Sequence, residues 1–67
     1  MNRLKDLRIQ QSKTLNEVGN FLGVTKTALN RYEKGVREPK LQAWEKLANY
    51  FDVDPEYLVG WSDVRKR

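Results

Sequence analysis

The sequence predicts an all-α domain, a bundle of five short helices around one core. Apolar residues recur at three- and four-residue spacing through nearly the whole chain, and no stretch alternates strictly enough to make a strand. Capping residues and glycines fall at the edges of those periodic stretches, where helices start and stop. At 67 residues there is room for one small domain. A chain of that size buries only about 60 % of the surface its unfolded form exposes, so short helices must share a single core.

Leu4, Leu7 and Ile9 place a first helix over 2–11. Leu15, Val18 and Leu22 place a second over 15–22, opened by Thr14-Leu15-Asn16-Glu17 as a capping box. Ala28, Leu29 and Tyr32 mark a third over 26–34, capped by Thr25, with Val24 and Leu29 as a hydrophobic staple. Leu41, Trp44, Leu47, Ala48 and Phe51 stripe a fourth over 41–51, which Lys40 caps poorly. Tyr57 and Leu58 belong to a short fifth over 55–59, opened by Asp54 as N-cap, Pro55 at the first helical position and Glu56 near the positive end. Gly23, Gly35 and Gly60 each follow a helix, where a left-handed residue commonly ends it. These elements define a domain over 1–61, with 62–67 as a tail or the start of a linker.

Composition narrows the function. With no cysteine and no histidine, the chain lacks disulfides, thiolate metal ligands and the commonest general base, so neither a metal nor a cofactor is expected. The carboxylates after residue 50 read as caps and surface charges, and Glu45 and Lys46 lie on the polar side of the fourth helix. No nucleophile has a base partner, so an enzyme is not expected. The first residues carry no apolar stretch behind their charges, and nowhere do about 18 apolar residues run together. The expected location is cytoplasmic, away from membranes. Charge is lopsided: residues 1–40 carry nine Lys/Arg against four Asp/Glu, while 41–64 carry one lysine against five acids. The tail Arg65-Lys66-Arg67 is basic again. A basic two-thirds joined to an acidic remainder suggests one side that faces a polyanion.

The join between the second and third helices is the most specific feature. Gly19 is small where one helix must cross close to its neighbour, and Gly23 supplies a positive φ in a very short turn. Val18, Leu22, Val24 and Leu29 pack inward and fix the two helices at a steep angle. This segment, with Arg31-Tyr32-Glu33-Lys34-Gly35-Val36-Arg37-Glu38-Pro39 after it, resembles the helix-turn-helix of the phage Cro and repressor (XRE-like) family of bacterial transcription factors. The likeness runs from about residue 2 to 61 and includes the closing Val53-Asp54-Pro55-Glu56-Tyr57-Leu58-Val59-Gly60-Trp61. It implies a lambda-repressor-like fold with the helix-turn-helix at helices two and three. It also implies sequence-specific binding of double-stranded DNA, with helix 26–34 in the major groove, as a phage or prophage repressor. Two other readings stand beside it: the antitoxin of a toxin–antitoxin pair, or an interaction module that kept the fold without binding DNA.

The resemblance assigns roles that residue chemistry supports. Lys26, Thr27 and Arg31 match base-reading positions, with Ala28 and Asn30 beside them. Positions 27, 30 and 31 share a helix face. Arg31 or Lys26 can donate to guanine, Asn30 can pair with adenine, and Thr27 can touch a thymine methyl. Lys13, Asn16, Thr25, Lys34, Arg37 and Lys40 are the expected phosphate contacts, and Arg8 and Glu33 match an internal ion pair. Leu15 stands where the family often has glutamine, so a polar contact is lost or Leu15 packs inward or on a thymine methyl. Lys13 stands where a leucine is usual, which predicts a looser lead-in to the second helix. A single recognition helix reads few base pairs, so a homodimer on an inverted repeat is expected, with no small-molecule ligand. Tyr57, Val59 and Trp61 are the dimerisation candidates, against the alternative that Trp61 folds back over the first or fourth helix.

Overall fold

The computed structural model describes residues 2–67; Met1, the first residue of the domain expected over 1–61, lies outside them. Among the described residues there are five helices and no strand: α1 (Leu4–Gln10), α2 (Leu15–Leu22), α3 (Lys26–Lys34), α4 (Leu41–Phe51) and α5 (Pro55–Val59). The all-α expectation is met, and α2 to α5 have the expected bounds. Among the described residues, no helix is long and apolar enough to cross a membrane.

Only α1 departs from its expected span. Asn2 and Arg3 are drawn out of the helix by long-range partners: Asn2 Nδ2 donates to the Tyr32 carbonyl at 2.9 Å, and the Arg3 amide donates to the Leu58 carbonyl at 2.8 Å. At the other end Gln11 is the C-cap and Ser12 takes a left-handed φ of 57°. No glycine marks that stop, so local sequence extends the helix by one residue too many.

The core takes Leu4 and Leu7 from α1, Val18 from α2, Leu29 from α3, four residues of α4 (Trp44, Leu47, Ala48, Phe51), then Val53 and Leu58. Two residues of the expected stripes are outside it. Ile9 is 56 % exposed, because it sits about 140° round the helix from Leu4 at 100° per residue. Leu41 is 71 % exposed at the first position of α4, on the rim of a groove that Trp61 also lines. α4 ends without glycine, on Asp52 at φ 58°.

The caps are those expected except one. Thr14 and Glu17 form both halves of the capping box, and the Thr25 hydroxyl accepts from the Ala28 amide at 3.1 Å. Asp54 has N-cap backbone geometry and Pro55 follows at the first position, but the Asp54 carboxylate does not cap. It accepts instead from the Arg67 amide at 3.0 Å, because residues 62–67 fold back onto the α4–α5 connection. The Asp54 amide donates to the Arg65 carbonyl, and Lys66 pairs with Asp52.

Candidate nucleic-acid interface

Two glycines and two threonines set the geometry of the α2–α3 unit. A Cβ on Gly19 would come within 2.9 Å of the Val24 carbonyl oxygen, so only glycine lets the turn lie against α2. Gly23 ends α2 at φ 82°, in the left-handed region that L side chains rarely adopt. Thr25 then starts α3, and Val18 and Leu29 are fully buried beneath it, with Leu22 and Val24 packed against the same core.

That packing decides which residues of α3 face outward. Lys26, Thr27, Arg31 and Lys34 are exposed, whereas Ala28 and Asn30 are half-buried on the flanks. Of the five expected base readers, then, three are exposed on one side of the helix and two have partial access. Thr25 is exposed; its oxygen accepts the cap bond, and its hydroxyl hydrogen remains available to a phosphate.

Glu33 lies on the inner side of α3. Arg8 Nε donates to its Oε2 at 2.6 Å and Nη2 to its Oε1 at 3.3 Å, a two-pronged pair with side chains 13 % and 2 % exposed. The third prong of Arg8, Nη1, donates to the Lys13 carbonyl at 3.0 Å, while the Lys13 amide donates to the Arg8 carbonyl at 2.9 Å. Those two bonds correct the expectation of a loose lead-in to α2, because the backbone of Lys13 is fastened whatever its side chain is. Leu15 packs inward against the core.

Of the remaining expected phosphate contacts around α3, three are outward and one is partly covered. Asn16, Arg37 and Lys40 are exposed, and Lys13 is half-buried with Nζ 5.8 Å from the Tyr50 ring centre. At the far end, Tyr57 lies under the Arg3 guanidinium at 4.1 Å, Val59 is half-buried, and Trp61 is 82 % exposed. Trp61 therefore does not fold back over α1 or α4. Sequence reasoning missed Arg3, whose guanidinium bonds the Tyr57 and Ser62 carbonyls and the Asp63 carboxylate. A lone arginine before a helix carries no signal of partners more than fifty residues away.

Comparison with known proteins agrees with this geometry. A family model described as helix-turn-helix matches residues 4–58. The chain is 39 % identical over 63 residues to the cryptic phage CTXphi transcriptional repressor RstR of Vibrio cholerae, covering 94 % of this chain and 57 % of that protein. It is 35 % identical over 60 residues to the HTH-type transcriptional regulator AnsR of Bacillus subtilis, covering 90 % and 52 % respectively. With ImmR, another HTH-type transcriptional regulator of Bacillus subtilis, it shares 32 % identity over 65 residues, covering 97 % and 51 %. The chain spans about half the length of these relatives.

Proposed function

This chain belongs to the helix-turn-helix family, and from that premise we propose that it is a transcriptional regulator of the phage-repressor kind, binding double-stranded DNA sequence-specifically. α3 enters the major groove. Lys26, Thr27 and Arg31 read base edges there, with Ala28 and Asn30 at the margins. Lys13, Asn16, Thr25, Lys34, Arg37 and Lys40 hold phosphates on either side, and the N-terminus of α2 turns its amides and positive dipole end toward one strand.

The outward charge of α3 carries this reading. Its one carboxylate, Glu33, is buried and neutralised by Arg8, whereas Lys26, Arg31 and Lys34 are exposed and form no ion pair among the described residues. On α3 itself a phosphate therefore meets exposed cations and no exposed carboxylate. Two copies of the chain occupy an inverted repeat, each reading half of it, and the exposed Trp61 beside Val59 and Tyr57 supplies the surface where they meet.

Selection of bound sequences from random duplexes is the direct test. The expected result is one enriched inverted repeat with half-site centres about one helical turn apart, ~10 base pairs. No enrichment, or binding that does not weaken with salt, overturns the DNA reading.

A further inference from the structure

We propose that Lys46 is a further contact to the DNA backbone, holding a phosphate at a groove it shares with Arg37 and Lys40; the inference rests on the DNA reading above. The groove, 270 Å³ in volume, lies between the α2–α3 turn and α3 on one side and the first two turns of α4 on the other. Its lining carries three cations, Arg37, Lys40 and Lys46, against the single carboxylate of Glu38. None of the three cations forms an ion pair among the described residues. Three unpaired cations around one concavity raise the local potential for an anion well above that of a lone surface lysine.

Helical geometry aims Lys46 at this groove. Gln42 and Lys46 are four residues apart and so share a face of α4, and both line the concavity. The start of α4 adds to the attraction. Its N-cap, Lys40, makes no side-chain cap bond, whereas α2 and α3 have threonine caps. The free amides and positive dipole end of this 11-residue helix thus open beside the same three cations.

The groove adjoins two of the phosphate contacts proposed above, since Arg37 and Lys40 both line it. Tyr32, one of its walls, lies about 140–160° round α3 from Thr27 and Asn30 at the helical pitch and packs against the core, so the concavity lies behind the reading face. The concavity therefore does not compete with the reading face. A strand held by Arg37 and Lys40, which both line the concavity, passes its mouth within reach of Lys46, six residues further along from Lys40. On sequence alone Lys46 is an ordinary charge on a polar helix face, because its cationic company comes from a separate loop.

Fluorescence anisotropy over a range of salt concentrations tests the proposal on the full chain with its selected duplex. K46A should lower the steepness of log K against log[salt] by about 0.9, the release of one phosphate's counterions. It should weaken all duplexes alike. K46Q, which keeps the length and loses the charge, should match K46A, and K66A, whose lysine pairs with Asp52, should leave the slope unchanged. A K46A slope equal to wild type, or a loss that K46Q does not share, overturns the role of Lys46 while a steep wild-type slope keeps the DNA reading intact. A flat wild-type slope overturns both. Circular dichroism guards the comparison, since alanine at an exposed helical site preserves the helix.

Discussion

Glu33 is the sole acid in α3, and where it points determines what that helix presents. Facing outward it would repel phosphate; facing inward it needs a cation, and Arg8 supplies one with three prongs engaged. The two ends of the pair are not equivalent. Arg8→Ala leaves a nearly sealed carboxylate alone and frees the Lys13 carbonyl, so its cost should approach the ~3–5 kcal/mol of a broken buried pair. Glu33→Ala leaves a guanidinium that can still reach water, and should cost about 1–3 kcal/mol. A double-mutant cycle by urea unfolding should show clear coupling, and additive losses would mean the pair contributes nothing. On the outer side of the same helix, Arg31→Ala should cost ~1–3 kcal/mol of binding and relax preference at one base position. Lys34→Ala should weaken all duplexes about equally. Uniform loss in both variants would show that the reading face is assigned to the wrong residues.

Within the helix-turn-helix, the two glycines are required for different reasons, and alanine separates them. At Gly19 the added Cβ meets a backbone oxygen at 2.9 Å, and a carbonyl fixed in a turn cannot rotate away. Overpacking of about 1–3 kcal/mol outweighs the roughly 1 kcal/mol gained in helix propensity, so G19A should be destabilising. At Gly23 there is nothing within 4 Å to meet, but φ is +82°. G23A should therefore cost ~1–2 kcal/mol from backbone strain alone. Thermal unfolding should show both losses, at about 4–8 °C per kcal/mol for a domain of this size. The capping box of α2 has its own signature in pH. The Thr14 amide, donating to the carboxylate, holds Glu17 below the ordinary glutamate value of 4.5. Because the folded value is the lower one, its contribution is complete above that pH and disappears as pH falls through the folded value. E17Q keeps an acceptor for the Thr14 amide and removes the titration, so its melting temperature should fall less than wild type's below pH ~4.5. Identical acid profiles would mean that the charge on Glu17 adds nothing to the cap.

Across the whole molecule, charge is segregated. The HTH side carries the exposed cations proposed to face DNA, and the later acids gather about α5 and its approaches, where the apolar surface of Trp61 and Leu41 is also exposed. Like charges resist the pairing that the apolar surface favours. The free chain should accordingly be monomeric or weakly dimeric, and two copies should assemble on a palindromic duplex that holds them in register. Sedimentation with and without the selected duplex checks this, and W61A should reduce the cooperativity of the second copy while sparing half-site binding. One protomer per duplex at saturation, on an inverted repeat, would exclude the dimer.

The elements and their order were determined by sequence, because periodicity, capping hydroxyls and helix-ending glycines are local properties. Thr14, Thr25, Gly23 and Gly35 each act within a few residues of themselves, and the bounds of α2 and α3 follow from them. The Arg8–Glu33 pair was legible only through resemblance, since its partners are 25 residues apart. Tertiary structure decided whatever depends on partners distant in the chain. Asn2 and Arg3 leave α1 for carbonyls of α3 and α5, the Asp54 carboxylate abandons its helix for Arg67, and Lys46 shares a groove with Arg37 and Lys40. A side chain's local pattern states which bonds it can make. Which of them it does make depends on the competing groups that packing brings within about 3 Å, and no window along the sequence contains those groups.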